Sequence, residues 1–100
     1  MIVKKHLNEG RLVLAICDNN LIGKKIEEGK LQLDLTSEFY KGEDMSEEEL
    51  KTIIKKAYMI NVVGKKIIDF LIKNKNIDID DIIFIKKVPH AQVVMIETKD

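Results

Sequence analysis

The spacing of apolar positions divides the chain into short elements. Ile2 to Leu7 and Leu12 to Cys17 flank Asn8-Glu9-Gly10, which predicts an opening β-hairpin with a three-residue, bulged connection. Leu12-Val13-Leu14-Ala15-Ile16-Cys17 is apolar at odd and even positions alike, the pattern of a strand covered on both faces, and is the best candidate for a central strand. Asp18-Asn19-Asn20 offers helix-capping oxygens, so Leu21 to Glu28 reads as a short helix closed by Gly29. Lys30 to Thr36 alternates strictly, as a strand with one wet face does. Ser37 to Asp44 reads as a polar loop anchored by Phe39 and Tyr40.

Ser46-Glu47-Glu48-Glu49 spells a capping box, with Met45 and Leu50 in hydrophobic-staple positions. Leu50, Ile53, Ile54, Ala57 and Tyr58 then recur at three and four, so a helix turns that stripe inward and keeps Lys51, Lys55 and Lys56 off it. From the junction at Asn61, the spacing of Val63, Ile67, Ile68, Leu71 and Ile72 predicts a second helix through about Asn74, with Gly64 near its start. Asn76 to Asp81 reads as an acidic turn. Ile82 to Lys86 and Ala91 to Glu97 read as the last two strands, joined through Lys87-Val88-Pro89-His90 because proline cannot donate to a ladder. The predicted order is β-β-α-β-α-α-β-β over residues 1–100 without a linker. It implies one two-layer α+β domain, with helices packed on a mostly antiparallel or mixed sheet.

Composition narrows the class. With 45% hydrophobic and 34% charged residues, the chain is too apolar for a disordered segment and too charged for a membrane span. The start lacks the apolar stretch of a secretory signal, and Cys17 has no second cysteine to pair with, so a reducing cytoplasm is the expected location. Cys17, His6 and His90 do not spell a zinc cluster, and no cofactor is expected. Abundant Lys, Glu and Ile fit a thermophile, although an A+T-biased genome produces the same Lys and Ile excess. Cations and acids balance at 17 each, but they are segregated. Glu27 to Glu49 holds nine acids against two lysines, and Lys51 to Lys75 holds seven lysines against one acid.

Four groups of residues could carry chemistry. Leu21-Ile22-Gly23-Lys24-Lys25 and Val62-Val63-Gly64-Lys65-Lys66 echo each other, and both would open helices. Lysines in a first turn oppose the helix dipole unless an anion such as phosphate binds there; in a chain with 16 lysines the echo can also be chance. His90 and Gln92, two residues apart on a strand, would point the same way as a hydrogen-bonding pair, or His90 could fix the turn before it. Cys17 could pair with His90 as a nucleophile and base, or serve as a small buried hydrophobe. Asp78, Asp80 and Asp81 could suggest a cation site, but they lack the length and glycine of a calcium loop, so a solvated turn is expected.

Ala15-Ile16-Cys17-Asp18 with Leu21-Ile22-Gly23-Lys24, then Phe39-Tyr40-Lys41-Gly42, then Asn61-Val62-Val63-Gly64 with Val88-Pro89-His90-Ala91-Gln92 carry a resemblance in their order and spacing. Over nearly its whole length the chain resembles the archaeal family catalogued as domain of unknown function 424. The resemblance implies a small archaeal cytoplasmic α+β protein and brings no catalytic residue. The residues themselves favour a non-enzymatic module for RNA or an RNA-protein particle, using Lys24, Lys25, Lys65, Lys66, His90 and Gln92. The alternatives are a protein-interaction subunit using an uncovered apolar strip or the acidic Glu43 to Glu49 segment, and a small enzyme using His90 with Cys17 or Asp18.

Overall fold

A run that is apolar on both faces needs cover on both sides, and in the computed structural model, which describes residues 1–95, it has it. The elements are β1 (Ile2–Asn8), β2 (Arg11–Cys17), β3 (Lys25–Glu28), β4 (Leu31–Asp34), β5 (Glu43–Asp44), α1 (Glu47–Ile54), β6 (Met59–Val63), α2 (Lys65–Lys73), β7 (Ile83–Ile85) and β8 (Val88–Val94). Short 3₁₀ turns cover Asn19–Leu21, Glu38–Tyr40 and Ile79–Asp81. Six strands form one mixed sheet in the order β5-β1-β2-β6-β8-β7, in which β2 and β6 are parallel neighbours; β3 and β4 form a separate two-stranded sheet. The fold is α+β.

Alternation along each strand splits the core in two. Leu14 and Ile16 of β2, Ile60 and Val62 of β6, and Ala91 of β8 pack under both helices, with Leu50, Ile54, Ile67 and Leu71. Ala15, Cys17 and Val63 face the other way, onto Leu33, Leu35 and Tyr40 from the β3-β4 side. Ser46 caps α1 as predicted: its Oγ accepts the Glu49 amide at 3.2 Å while the Glu49 carboxylate accepts the Ser46 amide at 2.9 Å. Among the described residues, no helix is long and apolar enough to cross a membrane.

Several local expectations change. The opening hairpin closes through two residues, Glu9 and Gly10, both left-handed, rather than three. Leu21 to Glu28 is not a helix: after one 3₁₀ turn, Lys25–Glu28 pairs with Leu31–Asp34, so Gly29 serves a hairpin turn rather than a helix end. The first helix stops at Ile54, before Ala57 and Tyr58. The predicted second helix begins only at Lys65, because Met59–Val63 is an interior strand between β2 and β8. The order is thus five strands, helix, strand, helix and two strands. The last hairpin turns at Lys86 and Lys87, and Pro89 lies inside β8 opposite Phe84. Facing β6, its carbonyl accepts the Gly64 amide at 2.9 Å, and the Gly64 carbonyl, which a donor at position 89 would otherwise meet, accepts the Ile68 amide at 3.1 Å instead. Strand β8 is described to Val94; the predicted continuation to Glu97 lies partly outside the described residues.

Candidate functional site

Parallel neighbours bring the carboxyl ends of β2 and β6 together, with Cys17 opposite Val63. Past such ends the loops diverge and a helix N-terminus points into the gap, which makes the crevice a natural place for a ligand. Here Asp18-Asn19-Asn20 leaves β2, and Gly64 leads from β6 directly into α2. A cavity of about 430 Å³ lies between them, lined by Asp18, Asn19, Asn20, Lys65 and Lys66.

Asp18 decides the chemistry of this crevice. The residue is only 4% exposed, and its two carboxylate oxygens accept the amides of Lys66 and Ile67, each at 2.9 Å. Its own amide donates to the Val63 carbonyl at 3.1 Å. Asp18 was expected to cap a helix immediately after it. Instead it caps α2 across the sheet, satisfying donors a helix start leaves open. Those are amides a phosphate would use, so an anion at Lys65 and Lys66 meets ammonium groups rather than a vacant helix end. Gly64 makes the approach possible: its φ is +124°, and a β-carbon there would overlap the Asp18 carboxylate.

Lys66 also lines a second cavity, of about 450 Å³, in the groove between α1 and α2. Lys51 and Lys73 line it too, with Glu47 and Asp69 as the acids. Positions 66, 69, 70 and 73 share one face of a helix, which is why α2 offers two lysines to one groove. Lys65 stands beside it, with its ammonium 2.8 Å from Asp69.

The other residues singled out in the sequence fall elsewhere. Gly23-Lys24-Lys25 opens a strand: the Lys24 amide donates to Leu21, its carbonyl accepts from Leu35, and the Lys25 ammonium lies 3.7 Å from Glu27. Neither lysine lines the cavities that hold Lys66. His90 and Gln92 do project to the same face of β8, opposite Val63 and Asn61. The His90 Nδ1 is buried with no hydrogen-bond partner among the described residues, and burial lowers the imidazole pKa, which favours the neutral ring. The turn before β8 lies at Lys86 and Lys87 rather than at His90, which pairs with Ile83 inside the strand. Cys17, Val63 and His90 form one row across β2, β6 and β8, so the thiol and the imidazole share a face but stand two strands, roughly 10 Å, apart.

Burial, followed by the Asp18 charge, pushes the Cys17 thiol up to about 11. An aromatic disulfide reagent at pH 8 is therefore expected to leave Cys17 unmodified in the native protein and to react at once in urea. Rapid native labelling would show that the site opens. Among the described residues, no group of three His, Cys, Asp or Glu side chains is placed to hold a metal ion.

Sequence reasoning missed a third feature, on the β3-β4 side. His6 of β1 stacks on Phe39, ring centroids 4.4 Å apart and planes 17° from parallel, and its Nε2 lies 2.9 Å from the Phe39 carbonyl. Tyr40 is buried and meets Phe39 edge-on at 5.1 Å, so it is the anchor of the expected pair, while Phe39 stays partly exposed. Beside them, Val3, Lys4, Lys5, Lys41, Gly42 and Glu43 line a cavity of about 380 Å³.

The sequence pattern of a protein family of unknown function, DUF424, matches residues 6–96. The chain belongs to the DUF424 family. Three of the stretches that carried the resemblance meet at the crevice, where Asp18, Gly64 and Pro89 are joined by hydrogen bonds and close approach, while residues 21–24 and 39–42 lie outside it. The DUF424 chain also resembles a solved structure, the crystal structure of an uncharacterized conserved protein from Methanopyrus kandleri. The two share 20% identity and a TM-score of 0.80, over 99% of this chain and 94% of that one, which shows a common fold. No functionally curated protein matches the DUF424 chain significantly.

Proposed function

We propose that the protein is a non-enzymatic module that binds RNA, alone or in an RNA-protein particle, by holding backbone phosphates along a strip of lysines. The observation that carries this reading is that Lys66 lines both cavities, so Lys65 and Lys66 at the crevice continue into Lys51 and Lys73 in the helix groove. Lysine ammonium groups contact phosphates as point charges and release condensed counterions, so such binding is salt-sensitive and largely indifferent to sequence. Glu47 and Asp69 in the groove moderate the field. A non-enzymatic role is supported by the separation of Cys17 from His90, which leaves that thiol without its base.

Binding to total cellular RNA and to ribosomes is expected at low salt and to fall as salt rises. The Lys51→Glu, Lys66→Glu, Lys73→Glu variant is expected to bind at least about tenfold more weakly and to flatten the salt dependence by about two units of slope, the share of three phosphate contacts on a single strand. Lys30→Glu, on the distant β3-β4 turn, serves as the control. No binding at low salt, or equal losses in both variants, would discard the reading.

A protein-interaction role draws on a different feature. β7 is an edge strand whose Ile83 and Phe84 are 55% and 60% exposed, an edge able to accept another strand. A partner held there would be released by Phe84→Lys and unaffected by salt.

A further inference from the structure

We infer that the ligand is single-stranded RNA and that one unpaired base stacks on the Phe39–His6 pair, an inference that rests on the RNA reading and specifies its substrate. The two rings form a preassembled stack: His6 Nε2 meets the Phe39 carbonyl, Ser37 Oγ accepts the Phe39 amide at 3.0 Å, and the Tyr40 ring packs against Phe39 at 85°. Both rings are partly exposed. A third flat ring added to a stack already held in place loses little freedom, and every nucleobase presents such a face.

Cations stand where the adjoining phosphates would lie. Lys4, two residues before His6 on β1, shares its face, Lys5 between them projects from the opposite face, and Lys41 follows Phe39 by two residues, its ammonium held 3.1 Å from Glu38. These three lysines line the 380 Å³ cavity, with Glu43 as its acid. Interleaving of aromatic faces with cations is the arrangement that tracks a single strand.

This cavity shares no lining residue with the lysine strip but lies close to it along the chain. Met1 lines the α1-α2 groove and Val3, two residues along the same chain, lines the cavity, a separation of about 7 Å in an extended strand. A flexible strand leaving the groove can round the sheet edge at β5 and reach Phe39. A duplex cannot follow that turn, and its bases are already stacked internally.

The chain contains no tryptophan, so Phe39→Trp introduces one reporter at the stack. With oligoadenylate, duplex RNA and inorganic polyphosphate as probes, oligoadenylate is expected to quench the indole and polyphosphate to leave it unchanged. Phe39→Leu, checked for unaltered thermal melting, is expected to weaken oligoadenylate about tenfold, the loss of one base stack, while polyphosphate affinity stays the same. An unquenched indole at saturating oligoadenylate, or equal affinity of Phe39→Leu, overturns the stack; if Lys51→Glu, Lys66→Glu, Lys73→Glu still weakens the same probe, the phosphate strip stands without it. Duplex bound as tightly as single strand overturns the choice of substrate. Absence of binding by any RNA at low salt removes both readings.

Discussion

Gly64→Ala is expected to lower the unfolding free energy by about 3–5 kcal/mol, a large share of the roughly 5–15 kcal/mol of a domain this size. Two causes add. A residue with a β-carbon at φ +124° carries backbone strain of about 1–3 kcal/mol. The new carbon also overlaps the Asp18 carboxylate and shifts it far enough to lose one of its two charge-assisted bonds to the Lys66 and Ile67 amides, worth about 1.5–3 kcal/mol. Gly10→Ala separates the terms, since Gly10 is also left-handed, at φ +79°, but its added carbon meets open space. Urea denaturation should show a loss of only about 1 kcal/mol there. Equal losses at the two glycines would mean that the close approach to Asp18 carries no weight.

Asp18→Ala is expected to cost about 2–4 kcal/mol, because it strips two helix amides of their acceptor, the Ile67 amide being buried and the Lys66 amide partly so. Asp18→Asn should recover part of the loss, since one carboxamide oxygen still accepts while its NH₂ faces donors it cannot serve. Thermal melting followed by circular dichroism checks both, and a change within about 0.5 kcal/mol for Asp18→Ala would remove the cap from the account. The two sites must also couple. Without the carboxylate, Gly64→Ala retains only its backbone strain, so the double variant should be more stable than the sum of single losses by over about 1 kcal/mol. Because this bond network sets the start of α2, its loss should also displace Lys65 and Lys66 and weaken RNA.

Elements whose information is local were legible in the sequence. Ser46 and Glu49 cap α1 across three residues, Leu12 to Cys17 shows by composition alone that both of its faces are covered, and the opening strands pair through an adjacent turn. Met59–Val63 was misread because Val63 continues the three-and-four spacing of Ile67, Ile68 and Leu71, although the β-branched run of Ile60, Val62 and Val63 before a glycine was the available signal. Leu21 to Glu28 was misread for a related reason. Ile22 and Ile26 stand one helical turn apart, yet Lys25–Glu28 finds its hydrogen bonds in Leu31–Asp34.

Of the candidate site, the lysines of residues 51 to 75 and the same-face placement of His90 and Gln92 could be read from residue order. The sequence by itself determined the α+β class, the interior character of β2, the cap of α1 and the segregation of charge, because each depends on residues within a few positions of one another. Only the tertiary structure decided that Asp18 serves a helix nearly fifty residues away, that Cys17 and His90 stand two strands apart, and that His6 meets Phe39. Such pairings depend on strand order and register in the sheet, and these are set by how the whole chain buries its apolar faces rather than by any local pattern.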